Sequence, residues 1–223
     1  MNFSFVQMAD PQFGMYSSIS KLTKDEVADR HKRGLNVNYS EVEVEGFEQE
    51  TALFTKAIEL ANEMMPSFVV ICGDMVHDRE SDEQFGELVR ISEKLDDKIP
   101  IRWVAGNHDV GETPTSDTLD KYRERFGKDT YSFTIENTRF ITLNSAVAFD
   151  PSEVVDEWHG LMDFLEGELK ASAIGSTKHN IVFMHHPLYL QDPGEDDNLF
   201  VIPRQRRLKI LDLFGAYNVT ALF

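Results

Sequence analysis

One cysteine, Cys72, stands in a chain of 223 residues, so no internal disulfide can form, and the composition suits a reducing compartment. It sits in the apolar run FVVIC, which predicts a small buried side chain and not a nucleophile. Long hydrophobic runs are missing too: no segment approaches the roughly 18 apolar residues that a membrane-crossing helix requires. The opening MNFSFVQMAD has no basic stretch followed by an apolar one, so no secretory signal is read there. Basic residues are scarce, 22 Lys plus Arg against 39 Asp plus Glu, for a formal net charge of −17. A surface that acidic repels nucleic-acid backbones and anionic lipids, so neither nucleic acid nor membrane is expected as a partner. A cytoplasmic protein is expected. Repeats, low-complexity tracts and domain linkers are absent, which predicts a single domain over residues 1–223.

The chain does have short apolar runs that alternate with helical patterns. FSFVQMA (3–9), FVVIC (68–72), IRWVA (101–105), NIVFM (180–184) and NVTALF (218–223) read as strands, mostly buried on both faces. YSFTI and RFITL flank a short turn at 136–138 and read as a hairpin. Amphipathic helices are predicted around Leu53–Met65, Phe85–Leu95 and Trp158–Leu169, with another over 203–214. The alternation argues for an α/β sheet with helix-covered faces. Residues 14–46 and 191–203 read as long polar connections, the second one acidic.

Polar residues are placed with more pattern than composition requires. Strand 3–9 runs into Asp10-Pro11-Gln12, and strand 68–72 into Gly73-Asp74, with His77 and Asp78 close behind. Strand 101–105 runs into Gly106-Asn107-His108-Asp109, and strand 180–184 into His185-His186-Pro187. Ligands of open α/β sheets bind outside the carboxyl ends of the strands, so four strands deliver oxygen and nitrogen donors to one edge. Carboxylates, an amide carbonyl and imidazoles suit Mn, Fe, Zn or Mg and not a thiolate metal. A carboxylate bridging two such ions holds them about 3.5–4 Å apart, the spacing of hydrolases that activate a water against phosphorus. Neutral Asn, Gln and His ligands leave that cluster net positive, which attracts phosphate even on an acidic protein.

ADPQFG, CGDMVHD, AGNHDVGETPT and VFMHHPLYL, in this order, resemble the calcineurin-like metallophosphoesterases over nearly the whole chain, from Phe3 to Phe223. The resemblance implies a four-layer α/β/β/α sandwich with a dinuclear centre of two divalent metal ions. It makes Asp74 the bridging carboxylate, Asp10 a ligand of the first metal, and Asn107 and His185 ligands of the second. Gln12 stands where most of the family has a histidine, and would offer a weaker, neutral oxygen or leave that place to water. His108 would be the catalytic acid, Asp109 would orient and charge it, and His77 would stand beside the site without touching metal. His186, His31, His159 and His179 are expected outside it. The family's final Gly-His-x-His motif would follow the run VTALF, so the chain is expected to stop about two residues short of it, with weakened metal binding and low activity. The implied reaction is hydrolysis of a phosphomonoester, with phosphoserine or phosphothreonine proteins as the substrate class. A phosphodiesterase or nucleotide pyrophosphatase on the same centre is the alternative, and a non-catalytic binding protein retaining the fold is the other.

Overall fold

The computed structural model describes residues 3–223. In chain order the elements are β1 (Phe5–Met8), α1 (Met15–Ser20), α2 (Lys24–Lys32), α3 (Glu48–Met64), β2 (Phe68–Cys72), α4 (Asp82–Ser92), β3 (Ile101–Val104), α5 (Asn107–Val110) and α6 (Ser116–Phe126). There follow β4 (Tyr131–Ile135), β5 (Thr138–Thr142), α7 (Ser145–Phe149), α8 (Val155–Ile174), β6 (His179–Phe183), α9 (Arg204–Ala216) and β7 (Ala221–Leu222). They build two sheets. One is parallel, in the order β1-β2-β3; the other, β4-β5-β6-β7, pairs β4 and β5 as an antiparallel hairpin and continues in parallel to β7.

Alternation along the strands explains why the sheets stack. Phe68, Val70 and Cys72 of β2 join Val104, Phe140 and Phe183 in one buried cluster, with Phe5 and Phe133 against it. Successive strand residues point to opposite faces, so the intervening Val69 and Ile71 meet the helix-side core with Phe54, Ile58, Leu88 and Ile91, and on the second sheet Ile141 and Val182 do likewise. The inter-sheet layer is largely phenylalanine: Phe5 stacks on Phe68 at 5.1 Å, and Phe140 on Phe183 at 5.9 Å. Edge-to-face contacts of Phe68 with Phe133 and Phe140 tie the stacks together, geometries worth about 0.5–1.5 kcal/mol beyond area burial. The result is the expected four-layer sandwich.

Two local expectations are revised. Residues 14–46 are not simply a connection, because they hold α1 and α2. Thr23 caps α2 by a reciprocal box, its hydroxyl accepting the Glu26 N–H while the Glu26 carboxylate accepts the Thr23 N–H at 2.7 Å. The 218–223 run is a strand of two residues, since Asn218 turns the chain with a φ of 50°. Its pairing nonetheless reaches further: Thr220 donates to the Asn180 carbonyl, Phe223 to that of Val182, and the Phe223 carbonyl accepts from Met184.

Candidate metal centre

Past the ends of β1 and β2 the two chains stay side by side in a conformation that strands do not use. Asp10 donates its N–H to the Gly73 carbonyl at 3.1 Å and Gln12 to the Asp74 carbonyl at 2.9 Å. Asp10, Gln12 and Asp74 have φ values of 53°, 36° and 52°, and Gly73 lies at 83°. Positive φ costs a residue with a Cβ, and such strain gathers where a side chain must be aimed. The turn carries Asp10 and Asp74 toward one another above the sheet edge, where an ordinary strand would send them apart.

Two glycines make the approach possible. A Cβ on Gly73 would lie 2.4–2.5 Å from the His185 ring, and a Cβ on Gly106 would lie 2.3 Å from Asp74 Oδ1 and 2.4 Å from the Asp74 nitrogen. The imidazole and the carboxylate occupy the space that side chains at these glycines would fill. Donor atoms of Asp10, Asp74 and His185 consequently lie within 4.8 Å of one another, and Asn107 Oδ1 is 3.1 Å from His185 Nε2.

The protons on His185 decide whether these groups suit a metal. Its Nδ1 lies 3.0 Å from the Cys72 carbonyl, which only accepts, so Nδ1 carries a hydrogen. Nε2 then faces two more oxygen acceptors, Asn107 Oδ1 at 3.1 Å and Asp74 Oδ1 at 3.5 Å. A ring lone pair opposite oxygen lone pairs is repulsive unless a proton or a cation lies between them. Burial alone would lower the pKa of His185, but the Asp74 carboxylate, the Cys72 carbonyl and the charges of Asp10 and Asp109 outweigh it and raise the pKa. Asp10 is raised chiefly by its crowded, desolvated position and further by Asp74. The His185 shift reports the negative charge gathered around its ring, and the mixed O/N set fits hard or borderline divalent cations.

His108 and His77 stand beside this cluster. The His108 N–H donates to Asp74 Oδ1 at 2.9 Å, fixing the start of α5. His108 Nδ1 donates to the His77 carbonyl at 2.7 Å, and the two imidazoles stack at 4.6 Å. His77 Nδ1 lies 3.4 Å from the Gln12 side-chain nitrogen, so Gln12 supports His77 through its amide. Burial, then the neighbouring His108, holds the pKa of His77 down, consistent with a neutral ring.

Asp109 takes a different place from the expected one. Its oxygens accept three backbone N–H groups, those of Asp74 at 2.8 Å, Met75 at 2.9 Å and Gly106 at 2.9 Å, while the His108 ring is turned to the His77 carbonyl. Burial first, and then Asp74, raises its pKa against the pull of those donors. Asp109 therefore positions the backbone that carries Asp74, and the ring partner of His108 is a main-chain oxygen. The physical reason is the α5 turn, in which successive side chains diverge by about 100°.

Ser145 went unnoticed in the sequence. Its hydroxyl accepts the N–H groups of His185 at 3.2 Å and His186 at 2.9 Å, and it lies 2.9 Å from His186 Nδ1. The signal was available, because Asn144-Ser145 follows strand RFITL as the other site residues follow theirs. His186 is buried, stacked on Phe149 at 4.9 Å, and is not among the converging donors. His31, His159 and His179 are exposed and outside the cluster.

Comparison with known proteins agrees with this arrangement. The calcineurin-like phosphoesterase family matches over residues 4–220. A bovine protein named serine/threonine-protein phosphatase CPPED1 is 32% identical over 227 residues, covering 99% of this chain and 67% of its own length. The human protein of the same name is 31% identical over 228 residues, covering 99% and 68%. Among solved structures, a dimetal phosphatase from Danio rerio superposes with a TM-score of 0.67 at 14% identity, covering 99% of this chain and 79% of that one. Purple acid phosphatase PPD1 from yellow lupin seeds gives a TM-score of 0.61 at 15% identity, covering 99% and 37%. Those two likenesses concern the fold alone. With the motif order, the converging donors and the family match in agreement, the chain belongs to the calcineurin-like phosphoesterases, hydrolases acting on phosphoester bonds.

Proposed function

We propose that the protein is a metal-dependent phosphomonoesterase of phosphoserine and phosphothreonine proteins. The observation that carries the reading is the set of lone pairs from Asp10, Asp74, Asn107 and His185 aimed at one another beside the ring of His108. The relatives' printed name supports the substrate class. Two divalent cations, drawn from Mn, Fe, Zn or Mg, when bound neutralise phosphoryl oxygens and make water a nucleophile at neutral pH. Asp74, Asp10, Asn107 and His185 would hold them, with Gln12 as a further oxygen donor.

His108 does the proton work in this reading. With Nδ1–H committed to the His77 carbonyl, Nε2 is the nitrogen left to pass a proton to the departing oxygen. The stacked His77 ring keeps it from rotating away. Replacing His108 by Ala is expected to lower kcat on phosphopeptides and p-nitrophenyl phosphate about 10²–10⁴-fold while metal content stays unchanged. Undiminished turnover removes His108 from the mechanism. Hydrolysis of bis-p-nitrophenyl phosphate with none of the monoester would make the protein a diesterase. We also place this single domain in the cytoplasm, where its one thiol, Cys72, stays reduced; burial pushes that pKa up to about 12.

A further inference from the structure

A cleft of about 540 Å³ opens from the donor cluster, and Asp10, Asn107 and His185 form one end of it. It also has an apolar wall, formed by Phe149, Leu190, Leu199 and Phe200. The last three come from the 187–203 segment and are 59%, 41% and 40% exposed. Their exposure is not a lack of order, because the next two residues, Val201 and Ile202, are completely buried and Ile202 donates to the Pro187 carbonyl at 3.1 Å.

Two charged groups hold the segment rigid from within. The Glu195 carboxylate accepts the N–H groups of Leu190, Gln191 and Asp192 at 2.8, 3.0 and 3.3 Å. Arg207, fully buried on α9, donates to the carbonyls of Pro193 at 2.8 Å, Ile202 at 3.4 Å and Glu195. A guanidinium is costly to bury, and here its donors are spent on the loop that presents Leu190, Leu199 and Phe200. Pockets that combine a few convergent polar groups with an apolar wall are ligand sites by construction.

Charge narrows the occupant. Asp192, Asp196 and Asp197 lie on the same segment, and Glu112 lines the cleft. These groups repel a substrate whose body carries further phosphates, such as a nucleotide, and accept a neutral or basic body. We propose that the 187–203 loop is the specificity shelf of the enzyme, seating a large apolar side chain next to the phosphorylated residue of a protein substrate. Arg207 is its positioning residue. The proposal rests on the phosphoprotein reading above, and it selects among phosphoproteins by the residue that neighbours the phosphoester.

Two phosphothreonine peptides, differing only in whether the flanking residues are Phe or Ala, test it with the Mn-loaded protein. Fluorescence anisotropy is expected to show about tenfold tighter binding of the Phe-flanked peptide, and the L199S/F200S variant should bring the two within about twofold. Because each ratio is taken within one protein, a general loss of activity does not blur it. Equal affinities in the unaltered protein, or a preference surviving in the variant, overturn the shelf. Hydrolysis of the same peptides is scored separately. If p-nitrophenyl phosphate is cleaved and neither peptide is, the phosphoprotein reading fails, whatever the binding ratio says.

Discussion

The two halves of the candidate metal centre are held in different ways. On the side of β1, β2 and β3, turns and close approaches of the backbone fix the donor groups: left-handed turns at Asp10 and Asp74, glycines at 73 and 106, and one carboxylate, Asp109, gripping three N–H groups. On the side of β6, one hydroxyl does that work: the N–H of His185 shares Ser145 with the N–H of His186, while the His185 ring leans across on the Cys72 carbonyl of β2. A carboxylate buried under three donors permits little relaxation, whereas a hydroxyl can turn or give way to water. The first half is therefore a rigid cradle, and the second an adjustable arm that brings an imidazole to it.

Removing each clamp gives the largest contrast. Asp109→Ala strands three buried N–H groups and is expected to cost about 3–5 kcal/mol of stability. Ser145→Ala strands two and is expected to cost about 1–2 kcal/mol. Urea unfolding of both variants measures the difference. Equal losses would mean that the two halves are equally rigid.

Gly73→Ala probes the contact between the halves. The new Cβ would sit 2.4–2.5 Å from the His185 ring, at a φ of 83° that already disfavours alanine. The ring must swing away from Asn107 and Asp74, because the backbone on the Gly73 side is pinned. Metal affinity is expected to fall about 10–100-fold and stability by about 1–3 kcal/mol, read by calorimetric titration with Mn and by thermal unfolding. A variant that binds Mn normally would show that the cradle moves instead of the arm.

That asymmetry also explains what the sequence discloses. The cradle residues are legible because strained turns demand particular types at fixed spacing, as in Gly73-Asp74 and Gly106-Asn107-His108-Asp109. The role of Asp109 is not, since spacing places it beside His108 while the direction of its side chain emerges only with the α5 turn. Ser145 shows its place after a strand, but not its partners, because it acts from the start of α7, just past β5, on residues that follow β6, and β5 and β6 are paired across the α8 crossover. The helices of 14–46 were masked by their polarity, although the capping pair Thr23 and Glu26 announces α2. Leu199 and Phe200 gave no periodic signal, because their exposure follows from Arg207 and Glu195 holding an irregular loop.

A pH-dependent effect concerns the arm's second histidine. Burial, with a smaller contribution from His185, pushes the pKa of His186 from 6.5 down to about 3. Between those values the unfolded chain takes up a proton that the folded protein refuses. Stability is then fully present above about pH 6.5 and falls as the pH drops toward 3, with a limiting slope of about 1.4 kcal/mol per pH unit for one proton. His185 opposes this slope, because a raised pKa makes the folded protein the better proton acceptor. Comparing the metal-free protein with His186→Gln leaves His185 in both and reads the contribution of His186 together with its coupling to His185. Urea midpoints taken at pH 7.5 and 5 should draw apart less in the variant. If the two proteins lose stability in parallel, His186 is protonated in the folded state, and its contacts with Phe149 and Ser145 do not keep the arm closed to water.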